Sequence, residues 1–270
     1  MRGPDELLPV VILLSDGPTG GAHRETARSI ADEIAFTNQC VVAMPDIFSI
    51  DAAISISHGK GDGNRNCEQE QLSAAIVSAM LHCRSEYGGG ALALAGVGLG
   101  AGQALQMVSY ISRAKIGAAK SEVSVPESRK ERDFLRRIVS DNSFRNVDGV
   151  LAVEPMEYDG AEIGASLDTR ALLIFSEDAD GGAAHADSPN NRLYNALRSR
   201  SSKKQLGFVC NFRVYQKLGN KRYMYSPAGD REVKYRSDSL AVGSTWLDCI
   251  TRSADHTGGE GGVAVDIFSF

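Results

Sequence analysis

A glycine-rich segment after an apolar run constrains the fold of this chain more than any other feature. Residues 91–102 read Ala-Leu-Ala-Leu-Ala-Gly-Val-Gly-Leu-Gly-Ala-Gly. We expect a short buried strand, a tight turn over residues 96–100 and a helix after the turn. This is the layout of a nucleophile elbow, G-x-S-x-G, in which a strained strand-to-helix turn presents a Ser or Cys side chain. The central position here is Gly98, which has no side chain to react.

Apolar runs and segments of helical periodicity alternate along the rest of the chain. Short apolar runs rich in β-branched residues are typical of strands buried on both faces of a parallel sheet. They predict strands at residues 9–15, 39–44, 91–95, 147–154, 171–175 and 208–215. Apolar residues at spacings of three and four predict helices at residues 23–36, 67–85, about 101–114, 190–198 and 238–251. This order predicts an α/β fold with a mostly parallel sheet and helices on both faces.

The 270-residue length suits one large domain, which we place at residues 1–252. Within it, residues 115–146 form a charged insertion with a predicted helix. A glycine-rich tail follows at residues 253–270 and ends Val-Asp-Ile-Phe-Ser-Phe. An apolar tail of this kind either folds back on its own domain or binds a neighbouring protein, and the sequence leaves both open.

Composition narrows the function classes. The net charge of −5 disfavours a nucleic-acid partner, because a protein that binds nucleic acid needs a basic face to neutralise the phosphates. The five cysteines are an odd number without a C-x-x-C pair, so we expect a reducing intracellular compartment, the cytoplasm or an organelle matrix with any targeting peptide outside this sequence. No apolar stretch reaches the roughly 18 residues of a membrane span. No ligand spacing predicts a metal site, and we expect neither metal nor cofactor.

The glycines also spell G-x-G-x-x-A, a dinucleotide-binding pattern. That pattern normally lies in the first βα turn of its domain, with an acidic residue about 20 positions later at the end of the next strand. Here it follows the third predicted strand, and no strand ending in an acid follows it at that spacing. The glycines are better explained by a tight turn and close packing of the helix against the strand.

Six segments in the expected order resemble the dienelactone hydrolase family of the α/β-hydrolase fold, over roughly residues 8–252. They are the first strand with its loop at residues 10–18, the strand ending in Pro45-Asp46, the elbow at residues 96–100, the strand at residues 148–155, the acid-bearing strand at residues 171–180 and the last strand through Tyr223. The resemblance implies the α/β-hydrolase fold. It also implies an oxyanion loop at Ser15, Asp16 and Gly17, completed by the backbone of Leu99.

The catalytic positions depart from the family pattern. The nucleophile position is Gly98, and the position of the family's histidine is Asn220 or Lys221. The acid position is kept as Asp178 or Asp180. Acyl transfer by a triad requires a nucleophile, a base that takes its proton and an acid that orients the base. The resemblance therefore implies a scaffold from which two of the three catalytic groups are lost.

No histidine occupies the expected turn; the five lie at positions 23, 58, 82, 185 and 256. We therefore predict a catalytically inactive protein that acts as a structural or scaffolding subunit, with protein partners in a larger assembly. Two alternatives stay open. One is a hydrolase of small esters or lactones with a non-standard active site. The other is a module that binds a small molecule in the former active-site cleft.

Overall fold

The computed structural model describes residues 8–15, 22–45, 65–87, 90–119, 147–176, 188–202, 210–215 and 223–254. Its strands are β1 (Val10–Leu14), β2 (Val41–Ala43), β3 (Leu92–Val97), β4 (Gly149–Val153), β5 (Arg170–Ser176) and β6 (Cys210–Tyr215). Its helices are α1 (Ala22–Asn38), α2 (Arg65–Tyr87), α3 (Leu99–Ala119), α4 (Gly160–Ser166), α5 (Pro189–Ser202) and α6 (Asp230–Ala254).

The six strands form one parallel sheet in the order β2-β1-β3-β4-β5-β6. β3, which leads into the glycine turn, lies between β1 and β4. Its register places Ala95 beside Leu13 and Leu151, and Gly96 beside Leu14 and Ala152. The carboxyl ends of β1, β3 and β4 therefore meet at one edge of the sheet, directly around residue 98.

Alternate side chains of each strand enter two separate cores. Val10, Ile12 and Leu14 of β1 pack with helices α2, α3, α4 and α5. Val11 and Leu13 pack on the opposite face with α1 and α6. Every residue of β1, β3 and β4 is buried, because helices cover both faces. The predicted α/β architecture, with a mostly parallel sheet between two helical layers, is confirmed.

Some predicted boundaries are wrong. β3 continues through Gly96 and Val97, and α3 begins at Leu99. Helix α3 runs to Ala119, five residues beyond its predicted end at about residue 114. The rest of the predicted insertion, residues 120–146, lies outside the described part. Helix α6 begins at Asp230, eight residues before the predicted start. Its first turns are polar and half-exposed and so lack apolar periodicity, while Asp230 and Glu232 favour a helix amino terminus.

Helix α4 is an element that periodicity does not predict. Its seven residues include two glycines, so no apolar repeat develops. Asp159 fixes its start by accepting hydrogen bonds from the backbone N–H groups of Ala161 and Glu162, at 2.9 and 3.1 Å. This helix lies between α3 and α5 and positions the segment that follows β4.

Candidate functional site

The strand-to-helix turn has an unusual backbone at its tip. Gly98 lies between the end of β3 and the start of α3 with a φ of +59°. Glycine adopts this left-handed region readily, whereas a side chain there crowds the backbone. A nucleophile elbow needs such a strained residue at this position, so the backbone has the form of an elbow at a residue that carries no side chain.

Three neighbouring glycines are required by close packing. A Cβ on Gly96 would lie 2.5 Å from the backbone of Gly100 and Ala101. A Cβ on Gly100 would lie 2.2 Å from the carbonyl oxygen of Leu14, and one on Gly102 would lie 2.0 Å from that of Met156. All three approaches are shorter than any side chain permits. These glycines bring α3 against β1 and against the segment after β4.

The last residue of β4 and the segment after it are hydrogen-bonded to the two polar groups of the Gly98 backbone. The N–H of Gly98 donates to the carbonyl oxygen of Val153 at 2.9 Å, and the N–H of Met156 donates to the carbonyl oxygen of Gly98 at 3.1 Å. The N–H of Gly102 also donates to the Gly98 oxygen, at 3.2 Å. We call residues 153–156 the elbow clamp, because they hold the tip of the turn from both sides.

The structure brings two of the expected oxyanion residues to the turn. Ser15 is buried at the end of β1, and its carbonyl oxygen lies 2.6 Å from the Cβ position of Gly100. Leu99 is the first residue of α3 and is half-buried. The other expected site residues lie outside the described part of the chain: Asp16, Gly17, Asp178, Asp180, Asn220 and Lys221.

A buried carboxylate in the elbow clamp was missed by the sequence reasoning. Glu154 directly follows β4, is 2% exposed and has a φ of +50°. Its N–H donates to the carbonyl oxygen of Ile174 at 2.8 Å, which ties it to β5. Glutamate is almost never fully buried without a structural or functional reason. The signal was present, because a charged residue followed an apolar run at the edge of the sheet where α/β proteins bind ligands.

The negative charge of Glu154 acts on two tyrosines. Burial, with the negative charge of Glu154 as the next contribution, raises the pKa of both Tyr158 and Tyr223. The phenol of Tyr158 donates to the side-chain oxygen of Asn190 on α5. The phenol of Tyr223 shares a 2.9 Å hydrogen bond with Ser239 on α6. The two phenols therefore form hydrogen bonds to helices on opposite faces of the sheet.

A chain of hydroxyl groups continues from Tyr223 to the protein surface. Ser239 donates to the Tyr215 hydroxyl at 3.2 Å, which leaves Tyr223 as the donor to Ser239. Tyr215 donates to Asp238 at 2.7 Å, and Arg213 donates to the same carboxylate oxygen at 2.8 Å. Burial raises the pKa of Tyr215 to about 12, so this phenol keeps its proton at neutral pH.

Two of the described thiols have raised pKa values. Burial raises the pKa of Cys83, and it raises that of Cys210 to about 12. Both are protonated at neutral pH, and the thiolate is the reactive form of cysteine. His82 is exposed on α2, and His23 lies in α1. His58, His185 and His256 lie outside the described residues.

A cavity of about 20 Å³ lies under the elbow, between the sheet and helices α1 and α6. Gly96 and Val153 line this cavity. Its polar side chains are those of Ser239 and Ser244, and the remaining walls are apolar. The Ser244 hydroxyl is buried and has no hydrogen-bond partner among the described residues. This volume holds one water molecule and no ester substrate.

Two further properties concern membranes and metals. Of the helices in the described ranges, none combines the length and apolarity that crossing a bilayer demands. Within the same ranges, His, Cys, Asp and Glu side chains do not gather in threes as a metal ion would require.

Similarity to known proteins is structural. No family model matches the sequence, and no curated protein matches it. A proposed α/β hydrolase of Agrobacterium tumefaciens superposes with a TM-score of 0.53 at 15% identity, covering 96% of this chain and 90% of its own. The dienelactone hydrolase of Anabaena variabilis superposes with a TM-score of 0.45 at 11% sequence identity. The match covers 93% of this chain and 88% of that protein. An esterase of Pyrobaculum calidifontis superposes with a TM-score of 0.48 at 14% sequence identity. The match covers 90% of this chain and 76% of that protein. The first of these likenesses, with the strand order and the glycine turn, shows that the chain has the α/β-hydrolase fold.

Proposed function

We propose that this chain is a dienelactone-hydrolase-like protein that has lost the covalent catalysis of its fold and acts as a structural subunit of a larger assembly. The observation that carries the proposal is Gly98, which lies at a φ of +59° at the tip of an intact elbow. Acyl transfer through an elbow requires a hydroxyl or thiol at this position. A hydrogen atom cannot form the acyl intermediate.

The loss of a second catalytic group supports the same proposal. By the resemblance, Asn220 or Lys221 takes the place of the general base. An amide does not accept a proton at neutral pH, and a protonated lysine has no free lone pair. The thiols of Cys83 and Cys210 are protonated and offer no substitute. On this reading Asp178 or Asp180 is a remnant of the acid.

The subunit role is supported by apolar side chains on the described surface. Phe36 on α1 is 88% exposed, and Val214 on β6 and Val233 on α6 are each more than half exposed. Contact with other proteins would cover such side chains. We further propose that residues 1–252 form one domain, that residues 253–270 are available for contacts and that the protein works in a reducing compartment.

The decisive experiment is the native mass of the endogenous protein in a gentle extract, measured by size separation with antibody detection. We expect migration well above the 28.9 kDa of the monomer. Substitution of Phe36 by Ser should then reduce the fraction in the large species. Migration as a free monomer would argue against the subunit role.

A second candidate is hydrolysis of small esters or lactones by an activated water molecule. It is favoured by one observation, which is that Ser15 and Leu99 still flank the elbow where oxyanion donors would be required. Backbone donors alone retain some rate over water. Saturable turnover of p-nitrophenyl acetate by the wild-type protein, reduced in Asp178→Asn or Asp180→Asn, would support this candidate. Absence of turnover across an ester and lactone panel would exclude it.

Restoring the lost groups tests the alignment with the family. The double variant Gly98→Cys with Asn220→His should gain measurable esterase activity, while each single variant should not. The gain would show that position 98 is the nucleophile position and position 220 the base position. If the double variant folds and hydrolyses nothing, one of the two assignments is wrong.

A further inference from the structure

We propose that the outer edge of β6 is a docking surface for the β6 strand of a second copy of this chain. The two strands pair antiparallel and join the two six-stranded sheets into one continuous sheet. This inference goes beyond the subunit role, because the purified chain should form the contact without any other protein.

Strand β6 ends the sheet on one side. Within the described part of the chain it pairs with β5 alone, so no strand lies opposite the backbone groups on its other side. The side chains are also open to solvent here: Val214 is 52% exposed, and the four residues before it are half-buried. Such an edge is a template for pairing with another strand.

The β6 edge lacks the devices that usually prevent such pairing. Natural edge strands are kept very short or carry proline, lysine or other unpaired charges. The opposite edge strand, β2, has three residues, whereas β6 has six and contains neither proline nor lysine. Its one charged residue is Arg213, which is neutralised by Asp238 at 2.8 Å. The edge therefore does not repel a copy of itself.

The sequence of β6 is complementary to itself in one antiparallel register. A two-fold axis at Phe212, perpendicular to the sheet, sets Phe212 opposite its own copy and Cys210 opposite Val214. These three residues lie on one face of the strand, because side chains alternate along it. On the other face Arg213 comes opposite the neutral Asn211. Apolar residues thus meet apolar residues, and no like charges meet.

Aromatic side chains extend the apolar surface from β6 onto α5. The ring of Tyr194 on α5 packs edge-on against Phe212, with ring centres 4.9 Å apart, and Tyr194 is 39% exposed. On the inner side, the ring of Phe212 lies 6.2 Å from that of buried Phe175. A second copy would cover Val214 and Phe212 and place its own aromatic residues beside these. Aromatic side chains carry much of the binding energy of protein interfaces.

The handedness of the fold disfavours this chain's own continuation as the occupant. Helix α5 connects β5 to β6 on one face of the sheet, whereas α6 follows β6 on the opposite face. A parallel strand added beyond β6 after α6 would need a left-handed crossover, which is rare. A second copy meets no such restriction, because antiparallel pairing across a two-fold axis involves no crossover.

Sedimentation velocity of the purified full-length chain over a range of concentrations tests the proposal. We expect a reversible species of twice the monomer mass of 28.9 kDa. Val214→Lys places a charge at the pairing edge and should raise the dissociation constant of the dimer at least about tenfold. A wild type that stays monomeric at the highest concentration would overturn the proposal.

The matched control is Phe36→Lys. It introduces the same side chain at an apolar residue that is 88% exposed on α1, the helix that packs against β1 and β2 at the opposite side of the sheet. This variant should dimerise as the wild type does. Equal weakening by the two substitutions would show that the contact does not lie at β6.

Hydrogen–deuterium exchange of the wild type at low and high protein concentration needs no variant. The β6 amides that point away from β5 should exchange more slowly at high concentration, because the second copy supplies their acceptors. The amides of β2 should not change. Exchange of β6 that is independent of concentration would overturn the proposal even for a chain that dimerises.

The two proposals of this article fail separately. A purified monomer that migrates in a large species in the extract would exclude the β6 dimer and leave the subunit role. A purified dimer with the same mass in the extract would support the β6 contact and argue against further subunits.

Discussion

At the scale of single residues, the glycines around the elbow have two different causes. Gly98 is required by its φ of +59°, whereas Gly96, Gly100 and Gly102 are required by backbone atoms 2.0 to 2.5 Å from their missing Cβ atoms. The two causes can be distinguished by the free energy of unfolding. Placing a side chain in the left-handed region lowers it modestly, whereas a steric clash with backbone atoms lowers it severely.

Substitution of Gly100 by Ala should destabilise the protein by about 3 kcal/mol or more, because the new Cβ meets the Leu14 carbonyl oxygen at 2.2 Å. Chemical denaturation monitored by circular dichroism gives the free energy of unfolding. Gly229→Ala is the control, since no atom lies within 4 Å of its Cβ position. Its cost should stay below about 1 kcal/mol. Similar losses in both variants would contradict the packing argument.

Substitution of Gly98 by Ala should cost a smaller amount, about 1–2 kcal/mol, because an L-residue is forced into the left-handed region. The same denaturation series measures it. A loss as large as that of Gly100→Ala would show that the position lacks room for a side chain, which would weaken the comparison with a nucleophile elbow.

At the scale of elements, helix α4 depends on its cap more than on its own sequence. Asp159→Ala should lower the free energy of unfolding by about 1 kcal/mol, because two backbone N–H groups lose their acceptor. Asp168→Ala removes an equal charge from an exposed position beyond the carboxyl end of the helix. That control should change stability by less than about 0.5 kcal/mol. Equal losses of stability in the two variants would mean that removal of a negative charge, and not loss of the helix cap, causes the effect.

The sequence predicts those elements whose burial produces a repeating pattern. β1, β3 and β4 are apolar throughout, and β5 is apolar at residues 171–175, because both faces of the sheet are covered. The glycine turn can be identified in the sequence because glycine is the residue that close packing requires. Helix α4 and the first turns of α6 leave no such pattern, since caps and polar contacts define them. The burial of Glu154 depends on the tertiary packing at the edge of the sheet, which the order of residues alone does not show.

At the scale of the whole molecule, the hydroxyl chain links the interior to an ion pair that responds to pH. Burial alone would raise the pKa of Asp238, but hydrogen bonds from Tyr215 and Arg213 outweigh it and lower the pKa. A carboxyl group with a depressed folded-state pKa contributes stability that is fully present above its unfolded pKa. That contribution is lost as the pH falls through the folded pKa.

Stability measured between pH 7 and pH 3 should therefore fall less steeply in Asp238→Asn than in the wild type, with the difference appearing below the usual aspartate pKa of about 4. Asp168→Asn, at an exposed position outside α6, is the control. Parallel pH profiles for wild type and Asp238→Asn would show that the network does not stabilise the folded state.

The elbow clamp has one more consequence, which concerns how such a chain changes over generations. Within the described part of the chain, the hydrogen bonds given above for the turn join backbone atoms, and Gly96, Gly100 and Gly102 supply its close packing. Exchange of the residue at 98 therefore alters the chemistry and leaves the architecture intact. Glycine relieves the strain that any other residue would carry there, so the step to glycine gains stability and the reverse step loses it. On our proposal that a nucleophile once stood at position 98, selection for stability alone would disfavour its return.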